Sequence, residues 1–152
     1  MPPMDSDAAA NRLFFRLFQT GNTLQRQVQK EMGISTVQWA VLGALSREDA
    51  ASGMSFNELT EYLLVSRQSL DGVLKRLERD GHVRRTPHPR DGRARLVHLT
   101  ASGRAFWEGL QQRIYRFYGR ALDGFSLAET LDLVNRLNRL QHGLLDVHLD
   151  RD

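Results

Sequence analysis

Cysteine is missing from all 152 residues of this chain. That excludes disulfides, thiolate metal sites, thiol redox sensing and cysteine nucleophiles together. No apolar run approaches the roughly 18 residues of a membrane span, so no membrane partner is expected. The opening stretch, MPPMDSDAAAN, is acidic and lacks an apolar core, so no export signal is expected and a cytoplasmic protein is the default. There is no internal repeat and no low-complexity tract. A nucleophile elbow, a phosphate-cradling glycine loop and an H-E-x-x-H helix are all absent, so no enzyme is expected. His82, His88 and His98 flank one loop, and His142 and His148 stand six apart, a spacing that does not share a helix face. Neither a metal nor a cofactor is expected.

What is present suits one domain, or one compact unit with two lobes. Hydrophobic residues make up 41%, enough for a core. The formal net charge is only +3, with a pI near 9.8, which admits nucleic acid as a partner without proving it.

Hydrophobic spacing sets the order of elements. Residues 1–7 read as a loose tail, with a helix beginning after Asp7. Leu13, Phe14, Leu17, Phe18, Leu24 and Val28 then recur at helical spacing until Gly33. Ser35 with Gln38 is a capping box that opens a second helix, whose buried side is Val37, Ala40, Val41, Ala44 and Leu45. REDAASGM is a loop. Ser55 with Glu58 opens a short helix carrying Leu59, Tyr62 and Leu63. A fourth helix starts at Ser66, turns Leu70, Val73, Leu74 and Leu77 inward and stops at Gly81. Two strands, HVRRT and RLVHLT, flank a loop in which Asp91-Gly92 supplies the tight turn, and Val97 and Leu99 alternate with His98. Thr100 caps a long helix bearing Phe106, Leu110, Ile114, Phe117 and Ala121. Ser126 with Glu129 opens the last helix, where Leu133, Leu137, Leu140, Leu144 and Val147 follow the a/d rhythm of helix-on-helix packing.

The expected fold is therefore mainly α with a small β-hairpin wing: a winged helix-turn-helix over residues 34–100. Residues 8–33 and 101–148 form a helical lobe that suits dimerisation, because their apolar stripes exceed what so small a core can cover.

Charge is concentrated on one segment. Ser66 to Arg95 holds nine Lys or Arg against four acids, net +5, more than the whole chain. Phosphate neutralisation by such residues is the usual source of affinity for a duplex. At the start of the fourth helix, Ser66, Arg67, Gln68 and Ser69 have the chemistry to read base edges or bind phosphate, and Lys75 and Arg76 follow on the same helix. In HPRDGRARLVHLT, residues 88–100, Arg93 sits at the tip with Arg90 and Arg95 to either side. Gly72 in mid-helix costs about 1 kcal/mol against Ala, which suggests close approach of a packed helix or of the DNA backbone.

ISTVQWAVLGAL, FNELTEYLLVSRQSLDGVLKRLERDGHVRR and PRDGRARLVHLTASGRAF together resemble the MarR family of winged-helix transcription regulators, over roughly residues 10 to 145. The resemblance implies a homodimer on a pseudopalindromic operator in double-stranded DNA. It also implies a small-molecule effector site between the dimer lobe and the DNA-binding lobe. Asp91 and Arg93 match the family's wing pair, with Arg93 in the minor groove and Asp91 orienting the wing. The family commonly has Thr and Arg where this chain has Asp71 and Gly72, which puts the usual contacts there in doubt. Its peroxide sensors need cysteine, so that branch is excluded.

An aromatic acid needs an aromatic wall and a cation. Phe14, Phe15, Arg16 and Trp39 offer both, although Phe14 and Trp39 equally suit a plain core. SRQSLDGVLKRLERDGH is similar to regulators of aromatic-acid catabolism, some answering to CoA thioesters. The expected function is a ligand-responsive repressor. Two rivals are an architectural DNA binder indifferent to sequence and a winged-helix module for protein interaction.

Overall fold

A computed structural model describes residues 3–150 of the chain. Six α-helices and three short strands follow one another: α1 (Pro3–Met32), α2 (Thr36–Leu45), a 3-10 turn (Glu48–Ala50), β1 (Met54–Ser55), α3 (Phe56–Leu63), α4 (Arg67–Arg79), β2 (Val83–Pro87), β3 (Arg95–Leu99), α5 (Ala101–Ala121) and α6 (Leu127–Leu145). The strands form one antiparallel sheet in the order β1-β3-β2. Residues from α2 to β3 form a winged helix-turn-helix, with long helices before and after it in the chain. Among the described residues no helix is long and apolar enough to cross a membrane.

The helix starts follow from capping chemistry. Ser35 Oγ accepts from Gln38 N–H while Gln38 Oε1 accepts from Ser35 N–H, and Ser126 and Glu129 repeat the arrangement at α6. At α3 only half of the expected box forms: Ser55 Oγ accepts from Glu58 N–H, and no return bond to Glu58 is present among the described residues. The end of α4 is a Schellman turn. Gly81 takes a φ of +78°, Gly81 N–H donates to Glu78 O, and His82 N–H donates to Leu77 O. The chain then enters β2 directly.

Three expectations need correction. The first helix opens at Pro3, inside the segment read as a tail. Proline is tolerated at a first helical position, Asp5 faces the positive helix end, and Ala8 to Ala10 are the strongest helix formers. The polar loop after α2 holds a strand, β1, whose Met54 and Ser55 pair with Val97 and Leu96. The wing is also not a two-residue Asp91-Gly92 hairpin. Pairing ends at Pro87 opposite Arg95, because Ala94 N–H turns to Asp91 O instead of returning to His88.

The chain divides into two compact units, Met1–Ile114 and Tyr115–Asp152. This differs from lobes cut at residues 33/34 and 100/101. Val28 and Met32 of α1 and Gly103, Trp107 and Ile114 of α5 are buried inside the first unit, together with Val41, Leu42, Leu45, Leu59, Leu70, Leu74, Leu77 and Val97. Leu42 and Trp107 are core residues that the stripe assignments passed over, and Ala121 is exposed. Gly103 is required by close approach: a Cβ there would lie 1.9 Å from the His82 carbonyl oxygen. In the second unit, α6 buries none of its residues.

Candidate nucleic-acid interface

The second helix of the helix-turn-helix is amphipathic. Leu70, Val73, Leu74 and Leu77 face the core, which leaves the other side of α4 to solvent. Ser66 Oγ caps it by accepting from Ser69 N–H at 3.1 Å. Ser66, Arg67, Gln68 and Ser69 are all exposed, so this helix N-terminus is open to an anion.

The wing is a preorganised loop spanning residues 88–94. Its ends are closed by His88 N–H donating to Ala94 O. His88 Nδ1 accepts from both Arg90 N–H and Asp91 N–H, at 3.1 and 3.2 Å. At the tip, Ala94 N–H donates to Asp91 O, so Gly92 and Arg93 are the central residues of a β-turn. Asp91 Oδ1 accepts from Arg93 N–H at 3.0 Å. Asp91 therefore fixes the turn that carries Arg93, and Arg93 itself is exposed.

Between α4 and the wing runs an open groove of about 950 Å³. Arg67, Gln68 and Asp71 line it from α4, Arg85 from β2, and His88, Asp91, Arg93, Ala94 and Arg95 from the wing, together with Ser55 to Glu58 and Val97. Residues from Ser55 to Val97, 42 positions apart, thus meet in one basic concavity. Of the residues singled out by sequence, Arg67, Gln68, Asp91, Arg93 and Arg95 share this groove. Ser66, Ser69, Lys75, Arg76 and Arg90 lie outside its lining, all exposed.

Two features of the groove were not visible in the sequence. Arg67 is held back by α3: its guanidinium lies 4.6 Å from the Phe56 ring centroid and donates to Asn57 Oδ1. Arg85, 20% exposed, sits between two acids of α4. Its Nε lies 2.7 Å from Glu78 Oε1, off the N–H axis and so a charge contact rather than a hydrogen bond, and a terminal nitrogen lies 3.9 Å from Asp71. Asp71 is also 2.9 Å from Lys75 Nζ. The hydrogen bond from Lys75, helped by the charges of Lys75 and Arg85 and opposed by desolvation, holds the Asp71 carboxyl below its ordinary range. These contacts bridge up to 14 positions and no local pattern announces them. Gly72 has open space where a Cβ would stand, so among the described residues no other helix packs against it there.

The suggested effector residues are less concentrated. Phe14, Phe15 and Arg16 are exposed on α1, and Trp39 is half-buried on α2. Phe14 and Phe15 are successive, so their side chains leave α1 about 100° apart. Arg16 donates to Gln19 Oε1, a neutral partner. Among the described residues no three His, Asp or Glu side chains cluster as a metal site would. His82 instead stacks on Phe106, with centroids 4.2 Å apart, and His98 shares a hydrogen bond with Thr86.

A cap-ordered helix beside a basic wing, framing a groove open to solvent, defines a DNA-binding regulator of the winged helix-turn-helix class. Residues 32–94 match the model of the MarR family. The chain is 49% identical to the transcriptional activatory protein BadR of Rhodopseudomonas palustris, over 88% of this chain and 83% of that protein. It is 30% identical to the homoprotocatechuate degradative operon repressor of Escherichia coli, over 74% of this chain and 73% of that protein. Among solved structures it resembles a mutant MarR from E. coli complexed with operator DNA, with a TM-score of 0.73 and 26% identity over 92% of this chain and 99% of that one. The chain belongs to the MarR family; it is a transcription regulator and not an enzyme.

Proposed function

We propose that the protein acts in the cytoplasm as a homodimer that binds a pseudopalindromic operator and is switched by a small aromatic carboxylate or its CoA thioester. The observation that carries this reading is the single groove where Arg67 and Gln68 of α4 face Asp91, Arg93 and Arg95 of the wing. In the proposed complex the start of α4 enters the major groove. Gln68 pairs with adenine, and Arg67 exchanges Asn57 for a guanine edge. Ser66, Ser69, Arg76, Arg90 and Arg95 hold phosphates. Lys75 contributes least, because its charge already faces Asp71. Arg93 enters the minor groove, where narrow A·T-rich geometry attracts arginine.

Dimerisation is supported by apolar surface that the single chain leaves open. Phe15 and Phe18 of α1 are 62% and 69% exposed, and Leu127 of α6 is 76% exposed. Patches of this kind on a chain of this size mark an interface. A dimer sets two α4 helices in successive major grooves, about 34–36 Å apart. Residues 8–33 and 101–148 then serve as its dimerisation lobe.

For the effector, Phe14, Phe15 and Trp39 supply aromatic walls, and Arg16, which donates to the neutral Gln19, supplies the cation a buried carboxylate needs. Shifting the protein from mostly DNA-competent to mostly released requires about 5.5 kcal/mol of differential effector binding. The repressor at 30% identity, named for an aromatic-acid operon, supports repression. A second reading, activation, is favoured by the 49% identical relative, which is named an activatory protein.

Titration of the protein onto DNA upstream of its own gene, against scrambled DNA, tests the proposal. It is run with and without a panel of aromatic carboxylates and their CoA thioesters, beside a reporter for the sense of regulation. Preference for the upstream DNA that one of these ligands relieves is expected. Equal affinity for both duplexes would instead indicate an architectural binder, and no duplex binding at physiological salt a protein-interaction module.

A further inference from the structure

Asp71 sits in the proposed DNA-binding face with the wrong sign of charge. It is the fifth residue of α4, one turn beyond Arg67, and it lines the groove opposite the wing. A carboxylate there repels phosphate on every duplex. The structure shows what it does in the free chain. Lys75 Nζ lies 2.9 Å from one carboxylate oxygen and an Arg85 guanidinium nitrogen 3.9 Å from the other, while Glu78 holds the far side of Arg85. Two cations of the basic segment are therefore turned toward acids of α4. Arg76, Arg84, Arg90, Arg93 and Arg95 make no ion pair among the described residues.

Resting on the DNA-binding reading above, we infer that Asp71 is a specificity-determining residue: it withholds Lys75 and Arg85 from phosphate on any duplex, and it presents to the major groove a carboxylate that a base amino group, cytosine N4 above all, must satisfy. The chemistry is one of selective penalty. Facing guanine O6 and N7, the carboxylate meets acceptors and gains nothing. Facing cytosine N4, it accepts a hydrogen bond and the penalty is recovered. Specificity is a difference of affinities, and a charge that burdens wrong partners raises it as effectively as a contact that favours the right one. Asp71 is partly exposed and is not one of the buried core residues, so its replacement leaves the core intact.

The test uses the full chain, a duplex that the parent protein selects from a randomised pool, and a random duplex of equal length. Asp71→Asn keeps the shape and removes the charge. It is expected to bind the random duplex about tenfold more tightly and to steepen the salt slope there by about 1–2, as Lys75 and Arg85 reach phosphates. The selected duplex gains less, so the ratio of selected to random affinity falls by about tenfold. Asp71→Glu restores the charge and is expected to recover most of that ratio. Selection repeated with Asp71→Asn should lose a cytosine preference at one position of each half-site. Thermal midpoints of both variants confirm folding, and a merely structural role would move those midpoints without moving the salt slope. An unchanged slope and affinity ratio in folded Asp71→Asn overturns the role of Asp71. A parent protein that itself fails to discriminate contradicts the proposed regulator instead, and the two failures are told apart by that first measurement.

Discussion

Leucine means different things in the two units of this molecule. In the first, Leu42, Leu45, Leu59, Leu70, Leu74 and Leu77 are sealed from water by the chain's own helices and sheet. In the second, α6 carries seven leucines and seals none of them. Both regions show helical spacing of apolar residues, so pattern alone does not separate them. The difference is where the covering surface comes from. The winged helix completes its own core and can hold a groove in fixed geometry. The face of α6 is left for a second copy of the chain in the proposed dimer.

Substitutions of one residue type in each region should part these roles. Leu74→Ala, at a fully buried site, is expected to destabilise the fold by about 2–5 kcal/mol in chemical denaturation. Leu137→Ala, on a half-open helix face, should leave the fold of the single chain within about 0.5 kcal/mol. Its effect belongs to assembly: Leu137→Glu should weaken the dimer at least about tenfold, near 1.4 kcal/mol, in sedimentation at low micromolar concentration. A parent protein that sediments as a well-behaved monomer there would remove the assigned role of α6.

Gly72→Ala sharpens the contrast between stability and function within α4. Open space around Gly72 lets a methyl group enter without a clash in the free chain, so stability should rise by about 0.5–1 kcal/mol. If the duplex backbone approaches α4 closely there, DNA affinity should fall as stability rises. Equal or better DNA binding by the more stable variant would leave the glycine unexplained. A smaller effect is expected at the α6 cap. The Ser126 N–H bond holds the Glu129 carboxyl below its ordinary range. That contribution is complete above the ordinary carboxylate range and fades as pH falls through the lowered value. Glu129→Gln, which removes the titrating carboxyl and keeps an acceptor for the Ser126 N–H, should abolish this acid-side dependence, read by helix content against pH.

Much of this architecture was legible in local sequence. Ser35, Ser66, Ser126 and Gly81 announce helix ends because capping is a contact between near neighbours. The wing was legible as a loop between strands, and the clustering of nine cations between Ser66 and Arg95 marked the side that would carry it. What escaped was set by distance along the chain. Strand β1 exists because Val97, 43 positions after Met54, offers it an edge. Asn57 and Phe56 hold Arg67 across the turn of the helix-turn-helix, and Arg85 reaches Asp71 from another element. The wing's true turn escaped as well: Ala94 N–H turns back to Asp91 O, which ends strand pairing at Pro87 and leaves a loop that His88 closes.

The reach of that loop is the most direct point of attack. Equilibrium binding of the parent protein and of Arg93→Ala is measured on the selected operator and on a random duplex at one fixed salt concentration. If α4 and the wing read the duplex together, Arg93→Ala should lose about 1–3 kcal/mol on the operator and much less on the random duplex, with fold and dimer unchanged. Affinities for both duplexes that match those of the parent would contradict a DNA role for the wing tip and, with it, the assignment of the groove.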